Sequence, residues 1–544
     1  MAKNKNRQAL LVAIPFVLAI LIMLPRLLSP QFGLLDDATT LQQARNFLGG
    51  DFSMSHDFQA GRFRPIYWLY YTIIYFFAGY HSFWYFISNL VILFILLVEI
   101  RLLLKRSGAA EWQILLTSCI FLFSMPIIGN FYTLSKGEPL QLTLIISAIL
   151  VLTPKFVHEE KLPWAKGIFA ASLLLLAIMV KETAIVMLPL IVFWALYVTY
   201  FRKNKNLKLY RKNYWMLVGS VTIAVLAYFG LRQSIQSTGL LEGTYTDRYL
   251  IDLGETLNKL LRWVTQYAYY FHYTMPITLF WVWFVIKKIS INQNQKFMLF
   301  RWATWWFFWF VVFIPWTYAE SYYLLPFAFG GAMLIGLTAP VFLNTLKRSK
   351  ASGRTVPLIL GILASLLFLL TLPNYRTEAK MQLAFDQANN EMLTYLTETA
   401  PENSTVLMNL RTSNEYSEKF DIYLKEHYQR TDISFGVLDS TQMETVNTQS
   451  CVIALMPYIE NQPTLTVRAG IEETYQDRWN ETFLMTTEEN RQQLSVFEES
   501  FRLSNINLPI ILCNFGLDAG FCQNPDPLFD YRAFTYGWEI SKIQ

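Results

Sequence analysis

Residues 62–106 read RFRPIYWLYYTIIYFFAGYHSFWYFISNLVILFILLVEIRLLLKR, and how this stretch divides decides the fold. It holds two apolar runs separated by Gly79. The second, 82–104, has the length of a spanning helix, which takes about 20 residues to cross the hydrocarbon core. The first, Pro65 to Ala78, is about 14 residues, the length of an interfacial or re-entrant helix. Topology arbitrates between the two. Were 65–78 to cross, Lys105 and Arg106 would emerge outside; if it rests in the interface, they fall inside with the other basic loops. The interfacial reading is adopted.

Outward from this stretch, hydrophobic runs broken by charged clusters predict eleven spans, near 9–28, 82–104, 112–129, 138–153, 167–181, 183–201, 214–232, 266–286, 297–316, 322–343 and 356–372. The runs at 138–153 and 167–181 fall short of a full crossing and require extended ends, local thinning or partial insertion. Counting the N-terminal tail, the even-numbered gaps carry about 22 Lys and Arg against about 10 in the opposite loops. That asymmetry places the N-terminus in the cytoplasm of a plasma-membrane protein and, after eleven crossings, residues 373–544 outside. The densest basic loop, Arg202 to Lys212, is a topology signal that lies against anionic headgroups. MAKNKNR resembles the start of a signal peptide, but no small-x-small site follows the apolar run, so the first span is expected to be a retained anchor.

Composition agrees. Of 544 residues, 53% are hydrophobic and 16% charged, against about 25% charged in an ordinary soluble domain, which excludes a simple soluble enzyme. Residues 1–372 hold 33 Lys/Arg and 15 Asp/Glu, whereas 373–544 hold 12 and 25, so the net charge of +5 conceals two opposite populations. The pI near 8.7 therefore implies no nucleic-acid partner. The expected fold is a polytopic α-helical membrane protein of about eleven spans over 1–372, with a first external loop at 29–81. A small extracytoplasmic α/β domain is expected over 373–544, its boundary at the composition shift at Pro373.

Within that domain, 376–397 has helical periodicity, with Met381, Leu383, Ala384, Ala388, Met392 and Leu396 near one face. Strands are expected at Thr405 to Leu410, Asp432 to Val437 and Cys451 to Met456, with a helix from Ser413 to Tyr428. No phosphate loop, nucleophile elbow or histidine-rich metal signature occurs there, and its one histidine, His427, reads as a surface or core residue. Cys513 and Cys522, nine residues apart, are either a local disulfide, which an extracytoplasmic site allows, or two free thiols. The sequons at Asn403 and Asn480 carry no assignment.

Chemistry is expected in the membrane part. The first external loop reads LLDDATTLQQARNFLGGDF over 34–52, placing Asp36 and Asp37 side by side above the membrane. Two close carboxylates repel, and burial penalises ionisation, so one can be raised toward the range useful to a general base. Either could instead bind a divalent cation, or one could cap the helix from Ala38 while the other is solvated. Further polar clusters fall on the same side: Arg62 and Arg64; Ser135-Lys136-Gly137-Glu138; Lys181-Glu182-Thr183; and Tyr318, Glu320, Tyr322 and Tyr323. Ionisable groups at membrane depth are costly unless paired or lining a cavity, so their convergence suggests an outward-opening polar pocket. The alternative is self-pairing of Lys with Glu and snorkelling at span ends. Trp302, Trp305, Trp306, Trp309 and Trp316 could line a sugar or prenyl cavity, or serve as interfacial belt and packing.

Taken in order, the uncleaved first span, the acidic pair in LLDDATTLQQARNFLGGDF and the segment 62–106 resemble the GT-C superfamily of membrane glycosyltransferases. More narrowly they resemble bacterial relatives of the protein O-mannosyltransferases and aminoarabinose-lipid transferases. The resemblance covers residues 1 to about 345. It implies a polyprenyl-phosphate-sugar donor, an acceptor hydroxyl on the outer side, no required metal although a divalent cation is allowed, and contact with membrane lipid. Carried over, Asp36 takes the catalytic place and Asp37 its companion's. Lys136, Lys181, Arg62 and Arg64 become the donor-phosphate candidates, supported by Glu138, Glu182, Glu320 and Tyr322. In YAESYYLLP, 318–326, Ser321 stands where the family pattern implies an Arg, so phosphate binding is expected to have moved to Lys181 or Arg62. Other classes stay open: a transporter, an assembly scaffold, or a ligase of lipid-linked glycans.

Overall fold

The computed structural model describes residues 2–52, 57, 61–152, 164–200, 205–238, 256, 277–278, 293–314, 321–348, 351–408, 416–437, 452–457, 479–485 and 538–543. The expected span at 266–286, Glu320, Trp316, Cys513 and Cys522 lie outside the described residues, apart from 277–278.

The chain opens with α1 (Ala2–Leu28), followed by the short α2 (Leu35–Leu48). Next comes α3 (Pro65–Ala78), the shorter run of the opening stretch. Pro65 stands in its first turn, where a missing N–H leaves no bond unmade. Gly79 ends it with a φ of 54°, in the left-handed region that a Cβ disfavours. Tyr67, Trp68 and Tyr71 are buried, whereas Leu69, Ile73, Phe76 and Phe77 are bare. A helix too short to cross, apolar on its exposed face, suits the plane of a membrane surface.

The longer run is α4 (Ser82–Arg106). The expected span at 112–129 is broken into α5 (Glu111–Leu122) and α6 (Met125–Phe131), bent by 63°. Pro126 accounts for the break: it lacks the N–H a continuing helix would use and crowds the residue before it. The two short runs are α7 (Glu138–Leu152) and α8 (Trp164–Val180), of 15 and 17 residues. A 3-10 turn (Glu182–Val186) leads into α9 (Met187–Tyr200), followed by α10 (Lys205–Gln236) and α11 (Gln293–Val311). A second 3-10 turn (Ser321–Leu324) precedes α12 (Leu325–Arg348). Among the described residues five helices are long and apolar enough to cross a membrane, or six with the bent pair. This is an integral membrane protein.

Close helix packing uses small residues. A Cβ at Gly336 of α12 would lie 1.8 Å from the Thr117 hydroxyl of α5, and the Gln113 amide donates to the Gly336 carbonyl at 3.1 Å. Trp302, Trp305 and Trp309 of α11 are fully buried, and the Trp305 indole donates to the Pro326 carbonyl at 2.7 Å. These tryptophans pack the bundle.

The last long helix, α13 (Ala351–Glu398), has 48 residues. At 1.5 Å per residue it is about 70 Å long, more than a bilayer with its headgroups, so one end projects well beyond it. The composition shift at Pro373 falls inside this helix: it marks a change of surroundings, and the element continues. Beyond it lie β1 (Thr405–Met408), α14 (Glu418–Glu426), β2 (Ser434–Val437), β3 (Val452–Pro457), β4 (Trp479–Met485) and β5 (Trp538–Ile543). The sheet order is β2-β1-β3-β5-β4, parallel among the first three strands and antiparallel at β5 with β3 and β4. The helix expected at 413–428 ends at Glu426, its first residues 413–415 lying outside the described ones, and the strand expected at 432–437 begins at Ser434.

Candidate functional site

The loops at one end of the helical bundle enclose an open cavity of about 730 Å³. Its walls come from the start of α2, the approach to α3, the turn before α7, the turn after α8, the end of α10 and the turn before α12. Asp36, Arg62, Arg64, Lys136, Glu138, Lys181, Glu182 and Tyr322, which the sequence singles out from separate loops, all line it. Asp37 does not; it lies behind the wall.

The adjacent aspartates are thus sorted into different environments. The Asp36 side chain is 66% exposed and receives the Lys136 ammonium at 2.9 Å. Lys136 above all, with Arg64 and Arg62, holds its carboxyl below the ordinary value against the partial desolvation imposed by the cavity walls. Burial alone would lower Lys136, but the Asp36 charge outweighs it and raises the ammonium. Its Nζ also sits 4.1 Å above the Tyr322 ring. Asp37 is 5% exposed. It accepts the Gly33 N–H at 2.7 Å and the Ser135 hydroxyl at 2.9 Å, yet burial, reinforced by the charge of Asp386, pushes its carboxyl to about 7. So the pair splits, and the raised member is Asp37. Neither caps α2 by a side-chain bond at Leu34.

Lys181 pairs with Glu138, whose side chain is 2% exposed. Its ammonium lies 4.2 Å over the Tyr323 ring. Burial lowers Lys181 to about 8, with Glu138 opposing and Arg64 and Arg62 adding to the fall. The Lys181 carbonyl accepts the Gln141 amide at 2.6 Å, which fixes the turn. Glu182 accepts the Phe63 N–H at 3.3 Å and the Tyr228 hydroxyl at 3.4 Å, tying that turn to α3 and α10.

Several contributors carry no signal in the sequence. Asp57, buried, accepts Arg64 through both oxygens at 2.7 and 2.8 Å, the Trp68 indole at 2.8 Å, and lies 3.7 Å from Arg62. Arg64 is consequently raised, Asp57 outweighing burial. Arg232, at the end of α10, donates to the Gly61 carbonyl at 2.9 Å, while its Nε is buried without a partner among the described residues. Lys419 of α14 also lines the cavity, so the chain beyond 373 supplies part of the wall. His427 stacks on Tyr80 at 4.5 Å, outside the lining, as a packing residue.

Among the described residues no three His, Cys, Asp or Glu side chains gather as a metal-ligand set. The place beside Asp36 where a cation would stand is taken by the Lys136 ammonium. Chemically, the cavity offers a carboxylate beside cations, bounded by aromatic rings: an acceptor of a proton next to positive charge suited to an anion.

No protein-family model matches the chain, and no curated protein sequence does. Several solved structures align with it over much of its length. The Archaeoglobus fulgidus oligosaccharyltransferase tethered to an acceptor peptide aligns at 12% identity over 79% of this chain, with a TM-score of 0.45. The chain spans 64% of that protein's length. The same archaeal enzyme, AglB, in complex with an inhibitory peptide and a dolichol-phosphate aligns at 12% identity over 83% of this chain and 69% of that one, TM-score 0.48. ArnT from Cupriavidus metallidurans bound to undecaprenyl phosphate aligns at 11% identity over 85% and 94%, TM-score 0.46.

Proposed function

We propose that the protein transfers a sugar from a polyprenyl-phosphate-linked donor to an acceptor hydroxyl at the extracytoplasmic face of the plasma membrane, with the N-terminus in the cytoplasm. The eleven-span organisation of 1–372 and an extracytoplasmic α/β domain over 373–544 belong to the same reading. The observation that carries it is the cavity, where Asp36 stands against Lys136, with Lys181, Arg62 and Arg232 on the same lining.

The donor phosphate would sit among these cations, its polyprenyl chain running between helices. The acceptor hydroxyl attacks the anomeric carbon opposite the lipid phosphate. The new C–O bond forms as the carbon–phosphate-oxygen bond breaks, the hydroxyl proton passes to Asp36, and the lipid phosphate leaves with its charge held by lysine and arginine. Direct displacement inverts the anomeric configuration. Asp36 is a weak base while Lys136 holds it; a bound phosphate competes for that ammonium and returns the carboxylate toward its ordinary basicity. Tyr322, under Lys136, and Glu138, against Lys181, keep the two ammonium groups in place. Arg64 is already committed to Asp57, so its part is to shape the wall. Glu182 braces the same wall.

Radiolabelled polyprenyl-phosphate monosaccharide given to the purified protein tests the reading. Asp36→Asn should abolish transfer while the variant stays folded and donor-bound; full activity in that variant would remove the assignment. Transfer of a preassembled glycan with none of a monosaccharide would redirect it to a ligase.

A further inference from the structure

We infer that Asp386, in the C-terminal half of α13, is a positioning residue for the acidic pair: with Arg26 it fixes Asp37 and, through Ser135, the cavity wall beside Asp36 and Lys136. The inference rests on the transferase reading of that cavity, and it makes the site incomplete without the chain beyond 373.

Arg26, at the end of α1, and Asp386 form an ion pair with side chains 0% and 3% exposed. The guanidinium also lies 4.3 Å over the Phe86 ring. Gly33 sits between the two carboxylates. A Cβ there would meet Asp37 Oδ2 at 3.1 Å and Asp386 Oδ1 at 3.2 Å, so a side chain at this position would push both carboxylates back by a few tenths of an ångström. The same turn is clamped from the C-terminal part: the Gly33 carbonyl accepts the Tyr423 hydroxyl at 2.7 Å, and the Phe32 carbonyl accepts the Asn390 amide at 2.9 Å.

From Asp37 the contacts lead to the cavity. The Ser135 hydroxyl lies 2.9 Å from Asp37 Oδ1 and 2.7 Å from Thr40 Oγ1, and Thr40 lies 3.3 Å from the Tyr67 hydroxyl. Ser135, Thr40 and Tyr67 all line the cavity. Ser135 has a φ of 58°, a conformation non-glycine residues adopt only where surrounding contacts hold them. A serine hydroxyl has one proton. When Asp37 is ionised that proton points to Asp37; when Asp37 is protonated it donates to Ser135, whose own proton then turns to Thr40 and the cavity.

The charges make this switch sensitive to Asp386. Besides Asp386, which is paired with Arg26, the titratable groups facing Asp37 are Lys136 from the turn before α7, Tyr71 of α3, Tyr85 of α4 and Tyr423 of α14. Lys136 is engaged by Asp36. The guanidinium is bonded to Asp386, so Asp37 lies in a buried compartment beside a second carboxylate without a cation of its own, which favours keeping one proton there. Removing the Asp386 charge should release it at lower pH.

The test is infrared titration of the purified full-length protein in lipid nanodiscs, following the carboxylic acid C=O band that Asp37→Asn abolishes. In Asp386→Asn its midpoint should move to lower pH by roughly one unit, and the acid limb of the transfer-rate profile should move the same way. The double variant Arg26→Met/Asp386→Leu keeps the site packed without ions and should shift the band in the same direction. A midpoint unmoved in both variants would overturn the inference. A band that shifts in a protein transferring no sugar would uphold Asp386's hold on Asp37 and sink the transferase reading instead.

Discussion

Lys181 lies between Glu138 and two arginines. On the proposed reading its charged form would seat the donor phosphate, and its neutral form would leave Glu138 to repel one. Because burial lowers it to about 8, the charge is present below that pH and lost above it. Affinity for polyprenyl phosphate in detergent should therefore be level up to about pH 7.5 and fall through pH 8–9. Lys181→Arg should remove that fall, and Lys181→Ala should weaken binding about tenfold at pH 7; an unchanged affinity would end its phosphate role. Asp57 works oppositely, as a structural anion. Asp57→Ala leaves Arg64 half-buried with no carboxylate, a loss of about 3 kcal/mol that thermal unfolding would register. The sequence points to Lys181 and Arg64 because they flank apolar runs. It does not point to Asp57, a lone acid in a polar loop, nor to Arg232, which reads as an ordinary span end: what gives them meaning is a partner distant in the chain.

Among the elements, hydropathy locates helices well and their ends poorly. The short α3 is legible because its 14 residues are bounded by Pro65 and Gly79, two residues whose effect is local. The bend between α5 and α6 also follows from a proline, Pro126, yet an apolar run that continues through it hides the break. Pro373 misleads in the other direction, because composition changes there while α13 runs on. Helix contacts are not legible at all. Gly336 is one of many glycines until α5 is seen against it, with Thr117 and Gln113 filling the space a side chain would need. Gly336→Ala must displace Thr117 and should cost about 1–3 kcal/mol, read as a lower midpoint of thermal unfolding in detergent. Gly219 has nothing within 4 Å of such a Cβ, so Gly219→Ala should not destabilise and serves as the control.

For the whole molecule the question is on which side of the membrane the cavity opens. Its lining comes from the connections after α1, α6, α8 and α10 and before α12, that is, from alternate ends of successive helices. An up-and-down bundle puts such ends on one side, and the basic residues of the intervening loops, Lys105, Arg106 and Arg211 among them, on the other. Positive loops stay in the cytoplasm, so the cavity and Lys419 should face outward. The acidity of 373–544 adds nothing here, since large domains translocate whatever their charge. The expectation can be checked on intact cells producing a Cys-free background. Lys419→Cys, on the cavity lining, should react with a membrane-impermeant maleimide, whereas Arg211→Cys should react only after permeabilisation. Labelling of both from outside would break the alternation of crossings, and labelling of Arg211→Cys alone would invert the protein, placing Asp36 where a lipid-linked donor must be met from the cytoplasm.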